Sequence, residues 1–257
     1  NLLDHGCLSY PQTWAFQQTL LHKRLQQRKH GSSEKGYCVV ILEQAPVYTL
    51  GRGADENHLT FCNNKEYASE IEKLSRKVRG QGTARLSMDK ELEARMIQLM
   101  AKTKMTNTGS DSLSSLLQVS QHLTESISPV VAPNGVPVYR VDRGGEVTFH
   151  GPSQLVVYPM LDLQQDCYKA DLHWYLRQIE EVVIKVLKQH YGIQGNRDEI
   201  NTGVWVDLNK IAAVGISSSR WITTHGFALN VSAGREYFDT SLILPCGIEG
   251  RGVTSMG

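Results

Sequence analysis

The chain has 257 residues, 40% of them apolar and 21% charged, values that permit a buried core and exclude wholesale disorder. Its 27 basic and 26 acidic residues leave a net charge of +1, so no basic excess points to nucleic acid or to an anionic membrane surface. No apolar run approaches the roughly 20 residues that a membrane-spanning helix needs.

The five cysteines, Cys7, Cys38, Cys62, Cys167 and Cys246, are scattered and form no CxxC pair. That argues against a zinc knuckle and for a reducing compartment. Length alone allows one large domain or two small ones. The chain starts at Asn1 without a methionine, so the lack of a targeting peptide carries no information.

Residues 11–29 read as a helix, with Trp14, Leu20, Leu21 and Leu25 on its apolar side and Lys23, Arg24, Arg28 and Lys29 near its C-terminal end, where the helix dipole favours cations. Residues 37–42 are a continuous β-branched run and predict a buried strand. A short strand over 46–50 leads into Gly51-Arg-Gly53, which invites a phosphate-loop reading but lacks the Gly-Lys-Ser/Thr ending.

Residues 63–129 differ from their flanks. Charge alternates over 66–79 as on a solvated helix, 90–104 is a second helical stretch, and 107–128 has a serine-heavy, low-complexity bias. The segment predicts an atypical, partly helical insertion without a core of its own, so removing 65–128 should leave a folded protein.

The strand 138–141 then introduces Arg143-Gly-Gly-Glu-Val-Thr-Phe-His-Gly-Pro-Ser-Gln154. Adjacent glycines let backbone amides approach a ligand closely, and a loop of this composition entering the apolar run 155–161 either lines a site or is an ordinary turn. Residues 171–191 show three- and four-residue apolar steps, with Asp171 as N-cap and Gly192 as terminator. This helix is read as packing only. Runs at 203–206, 211–216 and 227–231 predict strands, with a turn at 207–209 that puts Lys210 at the start of a strand. Strands clustered with long helices predict a single α+β (or α/β) domain over 1–257, a mixed β-sheet with flanking helices.

Cys246 lies in Leu244-Pro-Cys-Gly247, a setting that suggests a held but accessible thiol. A free thiol has a pKa near 8.5, so a reactive one needs a neighbouring cation or base. Lys210, His150 and His225 are the candidates, although each taken singly reads as an ordinary polar residue.

Together, Arg143 to Gln154, Gly203-Val-Trp-Val with Lys210-Ile-Ala-Ala-Val-Gly215, His225-Gly-Phe-Ala-Leu-Asn230 and Pro245-Cys-Gly247 resemble the signatures of the lipoyl(octanoyl) transferases, the lipoate-protein ligase B family, in the wording of its plant organellar members. The resemblance is strong over 136–250 and weak over 8–60. It implies a fold similar to the biotin and lipoate ligases, around one acyl-binding pocket. It also implies transfer of an octanoyl group from acyl carrier protein to the lysine of a lipoyl domain, in 2-oxoacid dehydrogenase E2 subunits and the glycine cleavage H protein, with neither ATP nor a metal.

Carried over residue by residue, Cys246 would be the nucleophile that forms an acyl-thioester and Lys210 its partner and general acid/base. Partial desolvation of a lysine makes its proton easier to lose, which suits that role. Arg143, Gly144, Gly145, Glu146, Val147, Thr148, Phe149, His150, Ala213, Val214, Gly215, Gly226, Phe227 and Ala228 would line the pocket, with His225 and Arg52 supporting. Arg52 and Arg143 stand 91 positions apart, much further than in the family, because of the 63–129 insertion. A monomer in the plastid is expected, with the mitochondrion as alternative. The competing readings are an ATP-dependent lipoate or biotin-type ligase, and a non-catalytic protein that binds lipoyl domains or the acyl carrier.

Overall fold

The computed structural model of the chain describes residues 7–30, 37–63, 85–86, 88, 90–103, 105, 113–125, 129–233, 238, 241–244 and 250–257. The charge-alternating stretch 66–79 and the Pro-Cys-Gly segment at 245–247 lie outside them.

Helix α1 spans Tyr10–Lys29 and starts where the Ser9 N–H donates to the Gln12 side-chain oxygen at 3.2 Å, with Pro11 in its first turn. Strand β1 (Cys38–Leu42) follows, then β2 (Val47–Leu50) and two short 3-10 turns at Glu56–His58 and Thr60–Asn63. Further along come β3 (Arg85–Leu86), α2 (Lys90–Lys102), α3 (Leu113–Thr124), β4 (Val130–Val131), β5 (Pro137–Val141), β6 (Thr148–His150) and β7 (Gln154–Met160). Helix α4 (Leu172–Tyr191) precedes β8 (Asn196–Arg197), β9 (Val204–Val206), β10 (Asn209–Ser219), β11 (Ile222–Asn230) and β12 (Gly252–Val253). The fold is a single domain of mixed helices and sheets.

The larger sheet runs β1-β7-β11-β10-β9-β8, with β12 parallel to β10, and the smaller runs β3-β5-β2-β6, with β4 on β5. Helix α4 begins and ends as its sequence predicts. The Asp171 carboxylate accepts from the His173 and Trp174 N–H groups, and Gly192 takes the left-handed conformation at φ 67°. Its apolar stripe meets the larger sheet: Val183 and Leu187 pack with Val204, Ile211, Ala212 and Leu229, and Tyr175 and Ile179 pack with Leu163, Val214 and Ile216.

Two expectations change. The run 37–42 is not a buried strand: β1 ends the larger sheet, and its side chains alternate, with Val39 and Ile41 each 53% exposed. An edge strand has one flank and part of one face in solvent, so β-branched content alone does not tell it from a central one.

The second change is in the serine-heavy stretch, where α3 forms and, with α2, packs on α1. Met96, Met100, Val119 and Leu123 share one cluster with Tyr10, Trp14 and Ala15 of α1 and with Val47, Tyr139 and Val141 of the smaller sheet. The described part of 63–129 thus contributes apolar side chains to a core that residues on both sides of it also build. Leu116, Val119 and Leu123 recur at helical steps, and the intervening serines mask that period in a compositional reading.

Candidate active site

The pocket lies where β10 outruns β9. β9 pairs with β10 only as far as Ala212, and beyond that point the Gly144 N–H donates to the Ile216 carbonyl at 2.9 Å. The glycine loop therefore docks against the open edge of β10. The cavity, of about 430 Å³, is bounded by the 143–148 loop, His150, Tyr158, the first turns of α4 through Leu172 and Leu176, the 200–202 loop, Lys210, and facing runs of β10 and β11. On those strands Gly215 pairs with Gly226 and Ala213 with Ala228, so small residues leave space that larger side chains would fill.

Close backbone packing explains the glycines. A Cβ on Gly51 would sit 1.8 Å from the Gly145 carbonyl oxygen, and Gly145 itself has φ +89°, a region that side chains rarely adopt. Gly51-Arg-Gly53 is therefore a bed for the 143–145 loop, and the Arg52 N–H donates to the Arg143 carbonyl at 2.8 Å.

Arg143 is 93% buried, with its guanidinium turned onto its own loop. Nη1 donates to the Gly144 carbonyl at 2.9 Å, and Nη2 donates to the Thr49 carbonyl at 2.9 Å, the Thr49 hydroxyl at 2.8 Å and the Glu146 carbonyl at 3.0 Å. Arg143 thereby fixes the loop's shape.

The two histidines are buried beside that guanidinium. Burial first and then the Arg143 charge push His150 down to about 4 and His225 to about 3, so both imidazoles are neutral near pH 7. The Gln154 Nε2 donates to the Phe149 carbonyl and the Asn230 side-chain oxygen, which leaves its Oε1 to accept from His150 Nδ1 at 2.8 Å. That assigns the proton to Nδ1 and leaves the Nε2 lone pair free to accept. His225 sits in mid-strand at φ +60°, and its N–H donates to the Gln17 side-chain oxygen of α1 at 2.7 Å. A non-glycine residue held in that region stores strain of the kind found at functional sites.

Lys210 is 93% buried; its Nζ donates to the Thr202 carbonyl at 3.0 Å and lies 4.6 Å from the Trp205 ring centroid. Among the described residues it has no carboxylate partner. The described residues on either side of the Pro-Cys-Gly segment contact elements that carry the pocket. The Leu244 N–H, two residues before Cys246, donates to the His58 carbonyl at 2.7 Å, and the His58 ring lies 2.9 Å from the Glu146 carboxylate of the pocket loop. After the segment, β12 pairs with β10 so that Val253 stands opposite Lys210.

Thirteen of the fourteen residues expected to line the pocket do so, together with Lys210 and His225. The exceptions have simple causes. Phe149 is fully buried and packs on Tyr48 and Phe238, because in β6 it points opposite to Thr148 and His150. Arg52 is exposed and supports from outside, its Nη2 donating to the Asp142 carbonyl at 3.2 Å.

Tyr158, Leu172, Leu176, Ile200, Asn201, Thr202 and Ile216 were not anticipated. Leu172 and Leu176 carried a signal in their four-residue spacing on an apolar helix face, and Asn201-Thr202 abuts the Gly203 motif. Ile200 carried none. No three His, Cys, Asp or Glu side chains converge as a metal site among the described residues.

With this geometry in hand, comparison with known proteins is decisive. The profile of the lipoyl protein ligase A/B catalytic domain matches residues 119–257, and an octanoyltransferase of Synechococcus elongatus is 36% identical over 255 residues, 99% of this chain and 76% of that protein. The chain belongs to this family. Within it, the chain is a lipoyl(octanoyl) transferase, an acyltransferase of protein lipoylation.

A chloroplastic octanoyltransferase of Arabidopsis thaliana is 54% identical over 119 residues, 46% of this chain and 41% of that protein. In fold, lipoate-protein ligase A bound with ATP superposes with a TM-score of 0.51 at 11% identity, over 97% of this chain and 74% of that one. At that identity the likeness concerns architecture alone.

Proposed function

We propose that this acyltransferase takes its octanoyl group from octanoyl-acyl carrier protein, carries it as a thioester on Cys246, and delivers it to the target lysine of a lipoyl domain. The Cys246 thiolate attacks the carrier thioester, a new C–S bond forms, and the carrier's thiol leaves with a proton from the Lys210 ammonium. The lipoyl-domain amine then attacks the acyl-cysteine, Lys210 accepts the amine's proton, the amide forms and the Cys246 thiolate is expelled. Exchange of one thioester for another is close to isoenergetic, and amide formation drives the second half. The step needs neither ATP nor a metal.

The observation that carries this reading is the state of the pocket cations. His150 and His225 are held neutral, and Arg143 is committed to its loop. Among the described pocket residues, Lys210 is thus the cation left to stabilise a thiolate, and the described residues nearest Cys246 in the chain meet the His58 carbonyl through Leu244 and the Lys210 strand through Val253. Lipoyl domains of 2-oxoacid dehydrogenase E2 subunits and the glycine cleavage H protein are the acceptors in this proposal, acting on a monomer. A plastid location, with the mitochondrion as alternative, is supported by the Arabidopsis relative.

The test is intact mass after mixing with octanoyl-acyl carrier protein. A hydroxylamine-sensitive gain of one octanoyl group, absent in Cys246→Ser, is expected. Full transfer activity in Cys246→Ser would sink the covalent mechanism, and labelling that requires octanoate with ATP would replace it with a ligase.

A further inference from the structure

Helix α4 was read from its sequence as a packing element without chemistry, yet it buries a carboxylate completely. Glu180 has no exposed surface, and a buried charge is retained only where partners offset its lost hydration. Its two oxygens have separate partners. Oε2 faces two guanidiniums, Arg177 Nη1 at 2.8 Å and Arg197 Nε at 3.4 Å. Oε1 accepts the Gly203 backbone N–H at 2.9 Å.

That N–H leads to the site. Gly203 has φ +133°, and a Cβ built on it would lie 3.1 Å from Lys210 Cε and 3.3 Å from Cδ, so the lysine stem runs along it. The preceding residue, Thr202, supplies the carbonyl that receives Lys210 Nζ at 3.0 Å. The same loop is fixed at its other end by Asp198, whose carboxylate accepts from the Ile200 N–H at 2.9 Å and the Asn201 N–H at 2.7 Å. A loop pinned at both ends by carboxylates presents one carbonyl to one ammonium.

We infer that Glu180 is a positioning residue for Lys210, acting through the Gly203 N–H and the Thr202 carbonyl. The inference rests on the reading of Lys210 as the acid/base. Oε2 supplies charge balance for the fold, while Oε1 sets where the ammonium sits relative to the acyl group. Small displacements of a proton-transfer group reduce the chemical step and leave substrate binding alone.

Two conservative variants separate the two oxygens. Glu180→Asp keeps the charge for the arginines but draws the carboxylate back from Gly203. Glu180→Gln keeps an oxygen within reach of Gly203 but removes the charge. Both are compared with wild type and Lys210→Ala for Tm, kcat, and KM for each protein substrate. Glu180→Asp is expected to lose about tenfold to a hundredfold in kcat with KM unchanged. Glu180→Gln should retain more kcat than Glu180→Asp despite the lower Tm.

The opposite order, with kcat following Tm in both variants, would make Glu180 a structural ion-pair residue and overturn the inference. Wild-type kcat in folded Glu180→Asp would do the same. If Lys210→Ala turns over like wild type, the assignment of Lys210 fails first. If Lys210→Ala is inactive and Glu180→Asp is fully active, only the role of Glu180 fails.

Discussion

The pocket walls and the helical layer of α1, α2 and α3 are held together by different forces. Around the pocket the contacts are polar and directional: Arg143 grips three carbonyls and a hydroxyl, Gln154 fixes a histidine tautomer, and Glu180 and Asp198 hold a loop by its N–H groups. In the helical layer the contacts are mainly apolar, with Met96, Met100, Val119 and Leu123 buried against Tyr10, Trp14 and Ala15. Directional contacts demand particular residues at particular positions, whereas apolar burial asks only for volume and period. Damage to the first region should therefore cost activity before stability, and damage to the second the reverse.

The largest effect expected on the pocket side comes from Gly51→Ala. The added methyl would meet the Gly145 carbonyl at 1.8 Å, backbone against backbone, with no flexible side chain to yield. The 143–145 loop has to move, and Arg143 and Gly144 with it. A loss of transfer activity of about a hundredfold or more is expected, since misplacing a site by about an ångström is enough for that. Steady-state assay beside a thermal melt checks it. Wild-type activity would mean that the loop tolerates displacement and that the pocket is not built by close packing.

On the other side, Leu123→Ala should cost about 2–5 kcal/mol of stability through lost burial and the cavity left behind. At temperatures where the variant remains folded, kcat should match wild type. Urea titration and assay of the same preparation decide the matter. The same packing reverses the expectation that residues 65–128 can be removed. Their deletion would expose Tyr10, Trp14 and Ala15 to water, so an insoluble or non-cooperatively melting chain is the expected outcome. A soluble, active deletion protein would show that the layer is dispensable.

This contrast also explains what could be read from the sequence. The Arg-Gly-Gly loop, the Lys210 strand and the His-Gly strand were legible because their roles need rare residue types in fixed order. Helix α4 was legible from its period, its Asp171 cap and its Gly192 terminator. The distant partners of Glu180 were not, because Arg197 and Gly203 lie 17 and 23 positions away in sequence and meet it only once the chain around β8 and β9 folds against α4. Phe149 was misjudged for a simpler reason: it sits inside a motif, and motif membership says nothing about which face of a strand a side chain takes. The packing of α3 was hidden because composition was weighed above period in a serine-rich stretch.

The broadest effect is that of acid on the pocket histidines. In the unfolded chain each titrates near 6.5, while in the fold burial and the Arg143 charge hold His150 to about 4 and His225 to about 3. Above about pH 7 neither state binds a proton at these sites, and their contribution does not vary. As pH falls below 6.5 the unfolded chain takes up protons that the fold refuses, so stability is lost down to about pH 4 for His150 and about pH 3 for His225. Each site can account for a loss on the order of a few kcal/mol. The groups facing them are Arg143, Tyr10, Tyr158 and Gln154. Tyr158 is itself pushed up to about 12 by burial, so apart from the two imidazoles, which also face each other, none of these groups changes charge in the window. The acid response between pH 6.5 and about 5 is then assigned to the imidazoles. Nearer pH 4, Glu181, held below its ordinary value near 4.5 by its hydrogen bond to Arg197, and Asp55, held below its ordinary value near 3.8 by the Asn57 N–H, add to it. Asp198, whose carboxyl is held well below its ordinary value near 3.8 by backbone N–H donors and Arg251, begins to matter only at lower pH. Urea midpoints at pH 7, 5.5 and 4 should fall for wild type and fall less for His225→Asn, in which Asn is chosen because it tolerates the positive φ of that position. An unchanged slope in that variant would move the acid sensitivity away from the pocket and remove the electrostatic half of the contrast between the two regions.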